Sequence, residues 1–380
     1  MIYLGTVLTL ILSALFLYYK GNQKLNSDQK VSLLSFFAIL FTTGLDGGLL
    51  LLPLIDFANY TTPGLHTSYQ FTNPLAIEFG FWACLSWLCY FVTTCYFALY
   101  EKQLNVFQIP WVKTLNCTLI MLTCAFSAWL LLSSLNFFIP QAWLNHFPYL
   151  KEATVFLVIL LAVISSIKIL YIKWLSVFSL VIFLLLAVFV ANESHLSIST
   201  FIDHSFLLND YFLNLNQFVF PLDVYHQFYM YWWVSWSIII GQFTAQFVNG
   251  LRVYQVFLAI LVLPSIPIAI WFIVLFDAFS LGLNLSINLK ILIAFLGALF
   301  VVNSMDSMIK LYSSELSLTR HQLGSKQYLF YHLGLLSLLT MLYEIKMLDI
   351  ELVGSIVIIL WMLTLYFWLK TKLVVKRGVN

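Results

Sequence analysis

Residues 253–279 read VYQVFLAILVLPSIPIAIWFIVLFDAF, and Asp277 is the one charged side chain in this run. A helix of this length crosses the roughly 30 Å hydrocarbon layer of a bilayer, because each helical residue rises about 1.5 Å. Apolar runs of similar length recur along the chain. There are eleven of them, at residues 2–19, 32–56, 74–100, 110–138, 152–169, 172–191, 224–248, 253–279, 285–315, 326–346 and 350–372. The pattern predicts an all-α integral membrane protein with about 11 transmembrane helices.

The composition supports this fold class. Of the 380 residues, 62% are hydrophobic and 9% are charged, whereas soluble domains carry about 25% charged residues. The net charge of +2 comes without a long basic run, which excludes a nucleic-acid partner. The five cysteines and seven histidines show no metal-ligand spacing, so we expect no cofactor and no metal site built from these residues.

The distribution of basic residues predicts the orientation of the chain. With the N-terminus outside, fifteen Lys and Arg residues fall on the cytoplasmic side and three, Lys151, Lys290 and Lys346, fall outside. Cytoplasmic loops are enriched in Lys and Arg, so we expect a cytoplasmic C-terminus. Between the sixth and seventh runs, residues 192–223 contain the amphipathic stretch 206–213, which predicts a segment lying on the membrane surface.

Ionisable side chains at membrane depth are costly and indicate function. The candidates are Asp46, Glu78, Asp306 and Lys310. Asp46 lies within Gly44-Leu45-Asp46-Gly47-Gly48, and glycines of this density predict a broken helix that lines a cavity. The alternative is a patch of small residues where two helices pack closely.

Two aromatic clusters lie inside the predicted spans. At about 100° per residue, Trp232, Trp233 and Trp236 lie on one helical arc, while Trp82, Trp87 and Tyr90 spread over roughly 140° of another helix. An interfacial aromatic belt is the alternative interpretation. Indole-rich faces suit a quaternary ammonium group, which has no N–H to donate and binds ring faces at about 0.5–2 kcal/mol each.

The signature Trp-Trp-x-x-Trp followed by Gly-x-Phe-x-Ala occurs at residues 232–245. With this motif the chain resembles the betaine/choline/carnitine transporter family. Further similarities follow in the family's order: the glycine-rich segment 41–48, the aromatic residues from Trp82 to Tyr90, the loop 173–176 and Asn303-Ser304-Met305-Asp306-Ser307. The resemblance extends over about residues 1–372 and aligns the first helix here with the family's second.

The resemblance implies a single transmembrane domain over residues 1–380, with two inverted five-helix repeats (LeuT-like) at 32–191 and 224–372. One extra N-terminal helix, residues 2–19, is peripheral to them. It also implies a homotrimer in the cytoplasmic (inner) membrane. The implied activity is secondary transport of a quaternary-ammonium solute, choline or glycine betaine, by alternating access. The implied substrate-binding residues are Trp82, Trp87, Tyr90, Trp232, Trp233 and Trp236.

Sodium is the implied coupling ion, and the resemblance assigns its ligands to Thr43, Leu45, Phe300, Asn303 and Ser304. Asp46 replaces the middle glycine of the family's broken helix, and we add it to the substrate-binding residues. A carboxylate there would attract choline more than the zwitterionic betaine, unless it serves only to cap the broken helix.

Other functions remain open at this point. An amino-acid or ectoine carrier of the same fold, a transport-inactive relative and an integral membrane enzyme are the alternatives. The family's usual arginines are replaced by Gln246, Asn249 and Leu251, and its usual His and Pro by Phe81 and Ser86. These departures concern substrate and coupling rather than fold.

Overall fold

The computed structural model describes residues 1–27, 37, 40, 41, 44, 46–61, 67–283 and 285–377. Within these ranges the fold is all-α, and the one β feature is an isolated antiparallel bridge between Lys24 and Arg252. The main helices are α1 (Ile2–Lys20), α2 (Gly48–Leu51), α3 (Pro53–Thr61), α4 (Pro74–Trp82), α5 (Leu88–Tyr96), α6 (Pro110–Phe138), α7 (Leu150–Ser165), α8 (Ile169–Glu193), α9 (Ile198–Leu207), α10 (Asn209–Leu213), α11 (Val224–Thr244), α12 (Val253–Ser280), α13 (Ile287–Glu315), α14 (Ser325–Glu344) and α15 (Ile350–Arg377).

Shorter helical segments connect these elements. They are α-helical turns at Lys102–Leu104, Gln141–His146 and Arg320–Leu323, 3-10 turns at Thr67–Tyr69, Cys84–Trp87, Val106–Gln108 and Gln217–Val219, and a π-helical turn at Phe97–Glu101.

The helices confirm the fold class predicted from the apolar runs. In the described part of the chain, seven helical stretches are long and apolar enough to cross a membrane: Ile2–Lys20, Pro74–Leu104, Pro110–Phe138, Trp174–Glu193, Val253–Ser280, Ile287–Glu315 and Ile350–Thr371. The runs predicted at 152–169, 224–248 and 326–346 are also helical, as α7, α11 and α14. The run at 32–56 is described in part, at residues 37, 40, 41, 44 and 46–56, and ends in α2 and α3.

Burial separates inner helices from outer ones. Much of α4–α5 and of α6 is enclosed by protein, whereas about two thirds of α15 is not. Large apolar side chains of α8, such as Leu185 and Val188, are exposed, as expected for a surface that contacts lipid. The division of the chain into two inverted repeats stays a prediction.

The predicted continuous helix at residues 74–100 is interrupted. Asn73 caps α4 by accepting the N–H of Ala76, and Pro74 occupies the first helical position, where its missing N–H costs nothing. The helix stops at Trp82 because Ala83 is extended and Cys84 has a positive φ of 49°. Ser265 Oγ, on α12, accepts the freed N–H of Cys84 at 3.0 Å, so the break is stabilised from a neighbouring helix.

The predicted surface segment contains the two short helices α9 and α10. Asn73 donates to Asp210 at 2.9 Å and to the carbonyl of Leu207 at 3.0 Å. His204 lies 3.7 Å from Asp277 at the end of α12. These contacts join the segment to α4 and α12, while its place on the membrane surface stays a prediction.

Close contact between α5 and α11 holds the two aromatic clusters side by side. Thr93 Oγ1 donates to the carbonyl of Ser237 at 2.6 Å. A Cβ on Gly241 would lie 2.5 Å from Thr93 Cβ, so only glycine permits this separation of the helices.

We therefore expect Gly241→Val to push α5 from α11 and to destabilise the protein, since overpacking a close contact costs about 1–3 kcal/mol. The apparent Tm of the purified protein should fall by several degrees. Gly334→Ala is the matched control, because nothing lies within 4 Å of a Cβ at that position in α14. Equal melting of the two variants would contradict the close packing.

Candidate functional site

Five of the six predicted aromatic residues form one buried cluster. Trp82 meets Trp232 and Trp233 edge to face, with ring centroids 5.2 and 5.3 Å apart, and Trp232 stacks on Trp233 at 5.8 Å. Trp87 and Tyr90 lie 6.2 and 5.9 Å from Trp233. We call these five residues the aromatic box. Its rings come from both sides of the helix break and from α11.

The break in the helix also orients the box. The last carbonyls of a helix have no partner within it, and here two of them accept indole N–H groups. Trp87 Nε1 donates to the carbonyl of Trp82 at 2.8 Å, and Trp233 Nε1 donates to the carbonyl of Phe81 at 2.7 Å. A continuous helix would have used both carbonyls internally.

Trp236, the sixth predicted residue, lies one turn further along α11. It is buried, and its indole N–H has no hydrogen-bond partner among the described residues. None of the described ring pairs joins it to the box. The structure therefore brings five of the six predicted rings together.

The glycine-rich segment packs directly on the box. A Cβ on Gly48 would lie 2.3 Å from Trp232 Cη2 and 2.9 Å from Trp82 Cη2, and one on Gly44 would lie 3.3 Å from Trp87. Tyr90 Oη donates to the carbonyl of Gly44 at 3.3 Å. Glycines are thus required here for close approach to rings.

Asp46 is fully buried within this segment. Its backbone has a positive φ of 56°, a conformation that Gly, Asn and Asp tolerate best. Oδ1 accepts the N–H of Gly47 at 2.8 Å, while Oδ2 has no hydrogen-bond partner among the described residues. The neighbouring hydroxyls are those of Ser127 on α6 and Ser304 on α13. Whether Asp46 binds substrate stays a prediction.

Two of the predicted sodium ligands, Thr43 and Leu45, lie outside the described residues. Phe300, Asn303 and Ser304 lie on α13 and are buried. The Asn303 amide contacts α8, since its Nδ2 donates to Ser179 Oγ at 2.8 Å and its Oδ1 accepts from Ser176 at 3.4 Å. Sodium binding therefore stays a prediction.

Asp306, another intramembrane acid identified from the sequence, joins α13 to α7. It is buried and accepts a 2.5 Å hydrogen bond from Ser165 and a 3.2 Å bond from Ser307. It is distinct from the aromatic box. These bonds give Asp306 a structural role in helix packing.

Two buried carboxyl groups, those of Glu78 and Asp56, lie next to the box. Only Glu78 was a candidate from the sequence. Glu78 accepts Trp82 Nε1 at 2.7 Å and Tyr60 Oη at 2.7 Å. Asp56 accepts Tyr225 Oη at 2.5 Å and Tyr229 Oη at 2.7 Å. The four-residue spacing of Glu78 and Trp82 places both on one helix face, which was readable from the sequence. Asp56 had no such signal, because its partners come from a distant helix.

Two known proteins are similar to this chain. An uncharacterised transporter of Haemophilus influenzae is 27% identical over 316 residues, covering 71% of this chain and 45% of that protein. The glycine betaine transporter OpuD of Bacillus subtilis is 24% identical over 317 residues, covering 71% of this chain and 60% of that protein. The chain thus spans about half the length of these relatives. No protein-family model matches it.

The fold and these relatives define the class: the chain is an all-α, multi-pass membrane protein related to transporters. The resemblance to the betaine/choline/carnitine transporters is confirmed, since the chain is similar to a glycine betaine transporter.

The positive φ of Asp46 predicts which substitutions the broken segment accepts. Asp46→Gly and Asp46→Asn should fold as well as the wild type. Asp46→Val should be less stable, because a left-handed backbone costs ordinary L-residues about 1–2 kcal/mol and β-branched ones more. Size-exclusion profiles and Tm in detergent measure the difference. Three equally stable variants would show that this backbone is not constrained.

Proposed function

We propose that the protein is a secondary active transporter of a quaternary-ammonium solute, choline or glycine betaine, working by alternating access. The observation that carries the proposal is the aromatic box, in which five buried rings from both sides of the helix break and from α11 converge on the glycine-rich segment. A glycine betaine transporter among the relatives supports the substrate class.

The chemistry of the box suits such a cation. Ring faces attract a quaternary ammonium group without hydrogen bonds, at about 0.5–2 kcal/mol per ring. In this structure the rings contact one another and exclude solvent, with Trp82, Trp87 and Tyr90 all 0% exposed. A substrate therefore reaches them only when the helices separate, as alternating access requires.

The charges around the box favour a cationic ligand over an amino acid. In the described part of the chain, three buried carboxyl groups lie near the box, those of Asp46, Asp56 and Glu78, and no Lys or Arg side chain is buried. Amino acids and ectoine carry N–H groups that need hydrogen-bond acceptors, whereas the box presents ring faces. An integral membrane enzyme would need acid and base groups around a reactive centre, and the box offers rings instead. A transport-inactive relative is distinguished by the uptake experiment below.

We also propose the remaining features implied by the resemblance. The protein is placed in the cytoplasmic (inner) membrane as a homotrimer, with the N-terminus outside and the C-terminus cytoplasmic. The distribution of Lys and Arg supports the orientation. Chemical crosslinking in membranes and cysteine accessibility at the termini test these two points.

Trp233→Ala should raise the KM for uptake of radiolabelled choline and betaine by about tenfold or more, since the substitution removes a central ring whose contacts are each worth about 0.5–2 kcal/mol. It also removes one of two donors to the carbonyl of Phe81, the other being Ser86 Oγ at 2.9 Å. Trp143→Ala, at an exposed position, is the control. If Trp233→Ala left both KM values within about twofold, the box would not be the substrate site.

We further propose sodium as the coupling ion. Gly47 lies against Gly297 and Val301 of α13, so the broken segment and the helix carrying Phe300 and Ser304 are in contact. Oxygen ligands from these two elements suit a hard cation. Uptake into proteoliposomes should fall at least about tenfold when external potassium replaces sodium, and a protonophore should leave sodium-driven uptake intact. The reverse pattern would indicate proton coupling.

A further inference from the structure

One buried acid contacts the edge of a ring in the aromatic box, and a second contacts a ring that stacks on the box. Glu78 is 0% exposed, and its Oε1 lies 2.7 Å from Trp82 Nε1. Tyr229, whose hydroxyl is bound to Asp56, stacks on Trp232 at 5.8 Å. The carboxyl group of Glu78 is therefore in direct contact with the box, and that of Asp56 is one ring further away.

The hydrogen bonds of Glu78 favour its charged form. An indole N–H only donates, so Oε1 of Glu78 must be an acceptor. The other oxygen, Oε2, is bound to the Tyr60 hydroxyl at 2.7 Å. Two contacts of Asp56 are tyrosine hydroxyls. Hydrogen bonds from donors favour the charged form of a carboxyl group, so the indole N–H and the Tyr60 hydroxyl favour a carboxylate at Glu78.

We infer that Glu78 is a specificity-determining residue of the aromatic box, and that its carboxylate favours substrates with a net positive charge over zwitterions. The carboxylate acts through the indole that it contacts. It orients the Trp82 ring, and a charge-assisted bond from the N–H increases the electron density of the ring face. Choline gains from this charge. Glycine betaine carries its own carboxylate and gains much less. This inference rests on the proposed function.

The chain contains a second indole–glutamate pair that serves as a control. Trp129 Nε1 donates to Glu344 at 3.0 Å, at the exposed junction of α6 and α14. Glu344→Gln makes the same chemical change as Glu78→Gln at a pair that is not in contact with the box.

The test is equilibrium binding of choline and glycine betaine to the full-length protein purified in detergent. Titration calorimetry measures the Kd of each ligand. Glu78→Gln retains a hydrogen-bond acceptor for Trp82 and removes the charge. We expect it to raise the Kd of choline about tenfold or more, which corresponds to about 1.4 kcal/mol. The Kd of betaine should stay within about twofold. Glu344→Gln should change neither value.

Other results overturn the inference. If Glu78→Gln binds both ligands like the wild type while Glu78→Ala loses both, Glu78 only positions the ring. Equal weakening of both ligands in Glu78→Gln also excludes charge selection. If Asp46→Asn rather than Glu78→Gln moves the preference toward betaine, the selecting charge is Asp46. A wild-type protein that binds neither ligand contradicts the proposed function itself, and the inference with it.

Discussion

The candidate site depends on one local constraint, the end of α4 at Trp82. A helix in a bilayer normally satisfies its own backbone groups, because hydrocarbon offers none. Here the extended backbone at Ala83 frees carbonyls that Trp87 and Trp233 use as acceptors. The indole N–H groups thus satisfy the carbonyls at the helix end, and these hydrogen bonds fix the orientation of the two indole rings. The same break turns α5 so that Tyr90 joins the box.

Glycines at the helix contacts allow the elements around the aromatic box to pack closely. Gly48 and Gly44 allow the broken segment to touch the rings, and Gly241 allows α11 to approach Thr93. Helices in lipid associate largely through such close packing, since lipid is as apolar as the helices themselves. The result is a closed cluster whose opening requires movement of whole helices, which is the motion that alternating access uses.

Two buried acidic residues determine the sign of the charge next to the aromatic box. Glu78 and Asp56 are buried and bonded to phenol and indole donors, which satisfy their oxygens without neutralising the charge. Burying a carboxylate is costly unless it is compensated. A mobile cation in the rings would supply that compensation, so the arrangement and the proposed substrate class are physically consistent. The same logic explains why aromatic donors surround these acids instead of lysine or arginine.

The sequence alone determined the all-α membrane class, because apolar run length and the scarcity of charge depend on composition and not on contacts. It also determined the candidate rings, since aromatic residues at helical spacing are visible without a structure. It did not reveal the interruption at Ala83, which Ser265 stabilises from α12. Nor did it pair Asp56 with Tyr225 and Tyr229, about 170 positions away along the chain. Only the tertiary structure decided these points, because each depends on which helices become neighbours.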